Sequence, residues 1–187
     1  MNKPKNPIIL GIKLFGLQLV LAMVSIGFMG ATVSFLTTNL SAKIYSSLTG
    51  LAFLYAYYHT VWDTGRRDMM YIKVYNNHHD EKMAADYKRP LIMGIVYTIP
   101  NIIALVALAV MGTHSTMNFV YRLLQNCFLG WLGDDNLTYI PNCVIVTFIP
   151  LLISIPAYLA GTKEFSIIDK YLPKLIYKNP DKKNKNK

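Results

Sequence analysis

The residues best equipped for chemistry stand together in YNNHHDEKMAADYKRP, Tyr75 to Pro90, where His78 and His79 run straight into Asp80 and Glu81. Imidazoles and carboxylates bind zinc and carry protons near neutral pH. Upstream, His59 and Asp63 are spaced i,i+4, one turn apart on a helix, and could join them. The spacing argues against a metal centre. Neighbouring helical residues point about 100° apart, no two histidines stand four apart, and zinc wants three or four ligands.

Each charge in the stretch has a simpler reason. Asn76-Asn77 suits a turn, and with Asn77 as an N-cap, Asp80 falls at the third helical position. Asp80 and Glu81 then lie at the positive end of a helix dipole, with Lys88 and Arg89 at the negative end. Asp63 can pair with Arg67 one turn on. The run reads as a connection between two apolar segments, with no cofactor and no metal implied.

The elements on either side explain why. Of 187 residues, 53% are hydrophobic and 16% charged, and mean hydropathy is +0.30. The charges avoid long stretches: Leu14–Ala42, Ile44–Trp62, Pro90–Tyr121 and Asn136–Thr162 contain none. A helix crosses a bilayer core in about 20 residues, and these runs leave no polar face wide enough for a soluble helix. The expected fold is an all-α integral membrane protein. It is a bundle of four transmembrane helices at about 12–32, 46–62, 91–111 and 143–161, with short interfacial or amphipathic helices. Residues 1–178 form one polytopic domain, 63–90 a helical loop, and 179–187 a flexible basic tail.

Seventeen of the 19 lysines and arginines fall in the N-terminal arm, the 63–89 loop and the stretch from Lys163; only Lys43 and Arg122 lie in the other connections. By the positive-inside rule both termini are cytoplasmic and the protein is a multi-pass component of the cell membrane. The net charge of +9 is placed to meet anionic headgroups rather than nucleic acid.

Other features read structurally first. LYAYYHTVW, Leu54–Trp62, has the composition of an interfacial aromatic belt, although His59 sits where an ionisable group is costly unless it faces protein or water. Pro100 and Pro150 kink spans three and four near mid-bilayer, close to Thr98, Asn101 and Thr147. Paired broken helices also build transport sites, so Asn101, Pro100, Pro150 and Thr147 are candidate functional residues beside His59 and Asp63. Residues of about 115–133 suggest a lid or interfacial helix on the outer side, with a re-entrant loop as the alternative. Cys127 and Cys143 share that side and either bridge or remain two lipid-shielded thiols. EFSIIDKYLPKLIYK, Glu164–Lys178, reads as an amphipathic segment bent at Pro173.

Three functions fit. The first is a non-enzymatic accessory or assembly subunit that contacts other membrane proteins or itself, with Gly16, Gly27, Gly30 and Ala31 as a small-residue face on span one. The second is a small transporter or channel component working at the kinks. The third is a membrane enzyme using His59, Asp63, His78 and His79.

Overall fold

The computed structural model describes residues 4–32, 39–79, 83–112, 116–132 and 136–164. All regular structure among them is helical: α1 (Pro7–Thr32), α2 (Asn39–His78), α3 (Lys88–Met111), α4 (Thr116–Leu124), a 3-10 turn (Asn126–Phe128), α5 (Leu129–Leu132) and α6 (Asn136–Thr162). The expected C-terminal amphipathic segment and tail, from Phe165 onward, lie outside the described residues.

Among the described residues, three helices are long and apolar enough to cross a membrane, over Pro7–Phe28, Lys88–Met111 and Tyr139–Thr162. Their outward faces are apolar to match: Met23, Ile103, Val110 and Leu152 are all exposed. The second expected span sits within α2, which is long enough at 40 residues but is not among the three. The reason is its side chains. Ile44–Trp62 carries no charge, yet it is rich in tyrosine, serine and threonine, of which Ser46 and Tyr57 are buried while Tyr55 and Thr60 are exposed.

The turn expected at Asn76-Asn77 does not form, because α2 continues through both to His78. Asn76 uses its amide instead to hold the returning chain. Its Nδ2 donates to the Met83 carbonyl at 3.0 Å and its Oδ1 accepts from the Met83 N–H at 2.7 Å. Asp80 and Glu81 lie outside the described residues. Asp86 then accepts the Lys88 N–H at 3.0 Å where α3 begins. Pro90 falls in the first turn of α3, where a missing N–H costs no helical bond.

Helices α1 and α3 run side by side in the same direction, as the pairing of Gly11 with Met93 and Val96 and of Gln18 with Asn101 requires. Helices α2 and α6 run together the opposite way and touch at glycine. A Cβ added at Gly161 would overlap the Trp62 carbonyl oxygen, and one at Gly65 would overlap that of Tyr158. Only hydrogen in place of a side chain lets the backbones approach so closely. Around this crossing lies the core of Phe53, Tyr57, Val61, Met93, Tyr97 and Tyr158. Tyr57, expected in an interfacial belt, is fully buried there and meets the Tyr97 ring edge-on at 5.0 Å.

The segment from Gln125 to Leu132 lies within the stretch expected to form a lid or interfacial helix. It folds into the end of the bundle, with Gln125, Asn126, Cys127, Phe128 and Leu132 buried. Its irregular backbone is satisfied by hydroxyls of α2: Thr49 donates to the Cys127 carbonyl at 2.8 Å, and Ser46 accepts the Gly130 N–H at 2.7 Å. Trp131 Nε1 donates to Ser47 at 3.0 Å, and the Phe128 ring occupies the space that Gly50 leaves open. Non-helical backbone is tolerable in apolar surroundings only when protein supplies such partners.

Replacing Gly161 with leucine should therefore cost stability by overpacking, about 1–3 kcal/mol or more. Gly16→Leu should leave the isolated chain unchanged, because nothing lies within 4 Å of a Cβ there. Thermal melting of the two purified variants in detergent checks the contrast.

Candidate functional site

The candidate residues of the kinked helices come together in the interior. Asn101 on α3 exchanges hydrogen bonds with Gln18 on α1, its Nδ2 donating to Gln18 Oε1 at 3.0 Å and its Oδ1 accepting from Gln18 Nε2 at 3.1 Å. Gln125 Nε2 donates to the same Oδ1 at 3.0 Å, and Gln18 Nε2 also donates to the Leu124 carbonyl at 3.0 Å. Three buried amides from three parts of the chain thus satisfy one another. Buried amides stabilise when all are paired and cost about 1–3 kcal/mol each when orphaned.

Next to them, the Tyr121 hydroxyl lies 2.9 Å from Thr147 Oγ1 and donates to the Cys143 carbonyl at 2.9 Å. The Tyr57 hydroxyl lies 2.7 Å from Ser154 Oγ, which donates to the Pro150 carbonyl at 2.9 Å. Thr98 bonds back to the Gly94 carbonyl at 2.7 Å. Pro150 is buried, Pro100 half-buried, and Pro156 turns outward. The candidates Asn101 and Thr147, and Thr98 beside them in the sequence reading, are all buried, and each already holds a protein partner. Cys127 and Cys143 are free thiols, both buried.

The histidines do not gather. His59 is exposed on the outer face of α2, between the rings of Tyr55 and Trp62 at 6.1 and 5.9 Å. Asp63 is held by Arg67 at 2.5 Å, the i,i+4 pair expected. His78 and His79 are exposed at the far end of α2, and His79 stacks on Tyr75 with centroids 4.1 Å apart. His59 and His79 stand twenty positions apart along what is almost wholly one helix, roughly 30 Å at 1.5 Å per residue. Among the described residues no three metal-ligating side chains converge.

Sequence reasoning missed a second polar cluster. Asp68 on α2 accepts a hydrogen bond from the Tyr158 hydroxyl of α6 at 2.8 Å, and Arg89 Nε of α3 stands 2.9 Å from the same carboxylate oxygen. Asp68 and Arg89 are both largely buried. The Arg89 contact is one of charge, since its Nε lacks the alignment of a hydrogen bond. Arg89 also donates through Nη2 to the Lys5 carbonyl at 2.6 Å. Burial pushes the Asp68 carboxyl above its ordinary value, while Tyr158 and Arg89 pull it back. The clue was available: Asp68 shares a helical face with Gly65 and Val61.

No family model, curated protein or solved structure matches this chain. Among the described residues, fold and interior define an all-helical protein with three helices long and apolar enough to cross a membrane.

Two tests follow from these networks. Asn101→Leu orphans the Gln18 and Gln125 amides and should lower stability by about 2–4 kcal/mol, read as a fall in melting temperature. Asp68 has a folded pKa above its unfolded one, so its favourable contribution is greatest at low pH and declines as pH rises from about 4 through the folded value. The melting temperature of Asp68→Asn minus that of wild type should accordingly climb with pH from about 4 and then level off. A falling difference would mean that Arg89 outweighs burial.

Proposed function

We propose that this chain is a small multi-pass membrane protein serving as a non-enzymatic accessory or assembly subunit, with α1 as its docking helix. The observation that carries the reading is a stripe on α1. Ile9, Ile12, Gly16, Val20, Met23 and Gly27 recur at steps of three or four residues, so they line one face of the helix. The four larger side chains are exposed. Neither glycine serves internal packing, since a Cβ at Gly16 or Gly27 would meet nothing within 4 Å. Small residues facing outward let a second helix approach closely, and in lipid such packing drives association. Gly30 and Ala31, which would extend the stripe, lie outside the residues described at side-chain level.

In this reading α2 makes a fourth crossing. Its hydroxyls are sheltered by α6 and by the 125–132 segment, so low hydropathy does not bar it from the bilayer. The basic bias of the connections supports a cell-membrane protein whose two termini, and the end bearing Asp68 and Arg89, face the cytoplasm. Transport at mid-depth is the weaker reading: a solute would have to displace bonds that Asn101, Thr98 and Thr147 already make.

The test is site-directed crosslinking in native membranes. Both natural thiols are buried, so a cysteine placed at Val20 or Met23 is the one exposed to the reagent. One constant heterologous adduct is expected, and Gly16→Leu should reduce its yield about tenfold, as a loss of 1.4 kcal/mol would. Adducts with lipid alone, or only with a second copy, would remove the accessory-subunit reading.

A further inference from the structure

At the Arg89 end of the bundle, a cleft of about 420 Å³ opens between the start of α1 and the second half of α2. Lys5, Lys13 and Arg67 line it, with the hydroxyls of Thr60, Thr64 and Tyr71 on the α2 side. Asp63 and Asp68 line it as well, but each already faces an arginine, Arg67 at 2.5 Å and Arg89 at 2.9 Å. That cancellation leaves the ammonium groups of Lys5 and Lys13, neither of which meets a carboxylate among the described residues. The cleft is positively charged as a whole.

Its wall is fixed rather than loose. The Lys5 carbonyl accepts from Arg89 at 2.6 Å, and Asn6 Oδ1 accepts the Ile8 N–H at 2.9 Å as α1 begins. Lys13 is the further anomaly. It is the one charged residue inside Pro7–Phe28, a stretch otherwise apolar enough to cross a membrane. A charge there is costly unless it meets water or a counter-charge. The floor includes Leu10 and Met70, which suits a ligand with an apolar part next to its charge. The cleft opens where the apolar length of α1 starts, the depth at which headgroups lie whichever side of the membrane this end faces.

We propose that this cleft binds a phosphate group carried on an anionic phospholipid, with Lys5 and Lys13 as its counter-charges. Two ammoniums serve a phosphate as point charges, and the Tyr71 hydroxyl can add a directional bond to its oxygens, those of Thr60 and Thr64 being donated to α2 carbonyls.

The experiment is native mass spectrometry of the full chain, purified and reconstituted with phosphatidylglycerol or with phosphatidylcholine. One phosphatidylglycerol retained per chain is expected, with little phosphatidylcholine. Lys5→Gln with Lys13→Gln should reduce retention at least tenfold, each single change should give an intermediate loss, and Lys88→Gln, an exposed lysine outside the cleft, should change nothing. An unaltered melting temperature confirms that the double variant folds. Equal retention by wild type and double variant, or equal retention of both lipids, overturns the proposal. Displacement by millimolar glycerol phosphate would overturn the lipid as occupant and assign the phosphate site to a soluble ester; resistance to it supports the lipid.

Discussion

The contact between α2 and α6 at Gly65 and Gly161 is the constraint on which the interior depends. Helix backbones that close leave no room for a side chain between them, and the approach brings polar groups of the two helices within bonding distance on either side. Tyr57 reaches Ser154 on one flank, and Tyr158 reaches Asp68 on the other. Without the glycines, α2 would stand off, and its hydroxyl-rich face would be left in apolar surroundings without partners. In lipid, where apolar burial gives helices no reason to associate, such packing and bonding must supply the cohesion.

A second principle follows from the first. Polar groups of the apolar helices are answered by groups from elsewhere in the chain. The amides of Gln18, Asn101 and Gln125 form one such set, and the hydroxyls of Ser46, Ser47 and Thr49 receive the folded-in 125–132 segment in another. These residues look functional when read singly. Taken together they form a closed polar interior that specifies how the helices fit. The outward stripe of α1 and the cleft beside its first turn lie apart from these sets.

Helix identity was legible because charge-free runs of this length have few other uses, and the Asp63–Arg67 pair was legible because it is local. Partnerships across the bundle were not. Gln18 is the one amide side chain in an apolar span, which signals that it needs a partner but not which one. Asp68 and Arg89 lie 21 positions apart and meet only because α2 and α3 return to the same end. Asn76 acts from within a helix that had been expected to stop there. Periodicity could not separate Tyr57, which belongs to the core, from Tyr55, which faces outward, because both sit in one unbroken aromatic run.

α2 is one uninterrupted helix of 40 residues. The part beyond Trp62 extends for about 24 Å at 1.5 Å per residue. With no proline and no break along it, it is a stiff arm, tied to α6 and α3 through Asp68 and, further out, to Glu164 through Lys73. A rigid arm anchored at two points along its length holds the stacked rings of Tyr75 and His79 at a fixed distance from the buried helices.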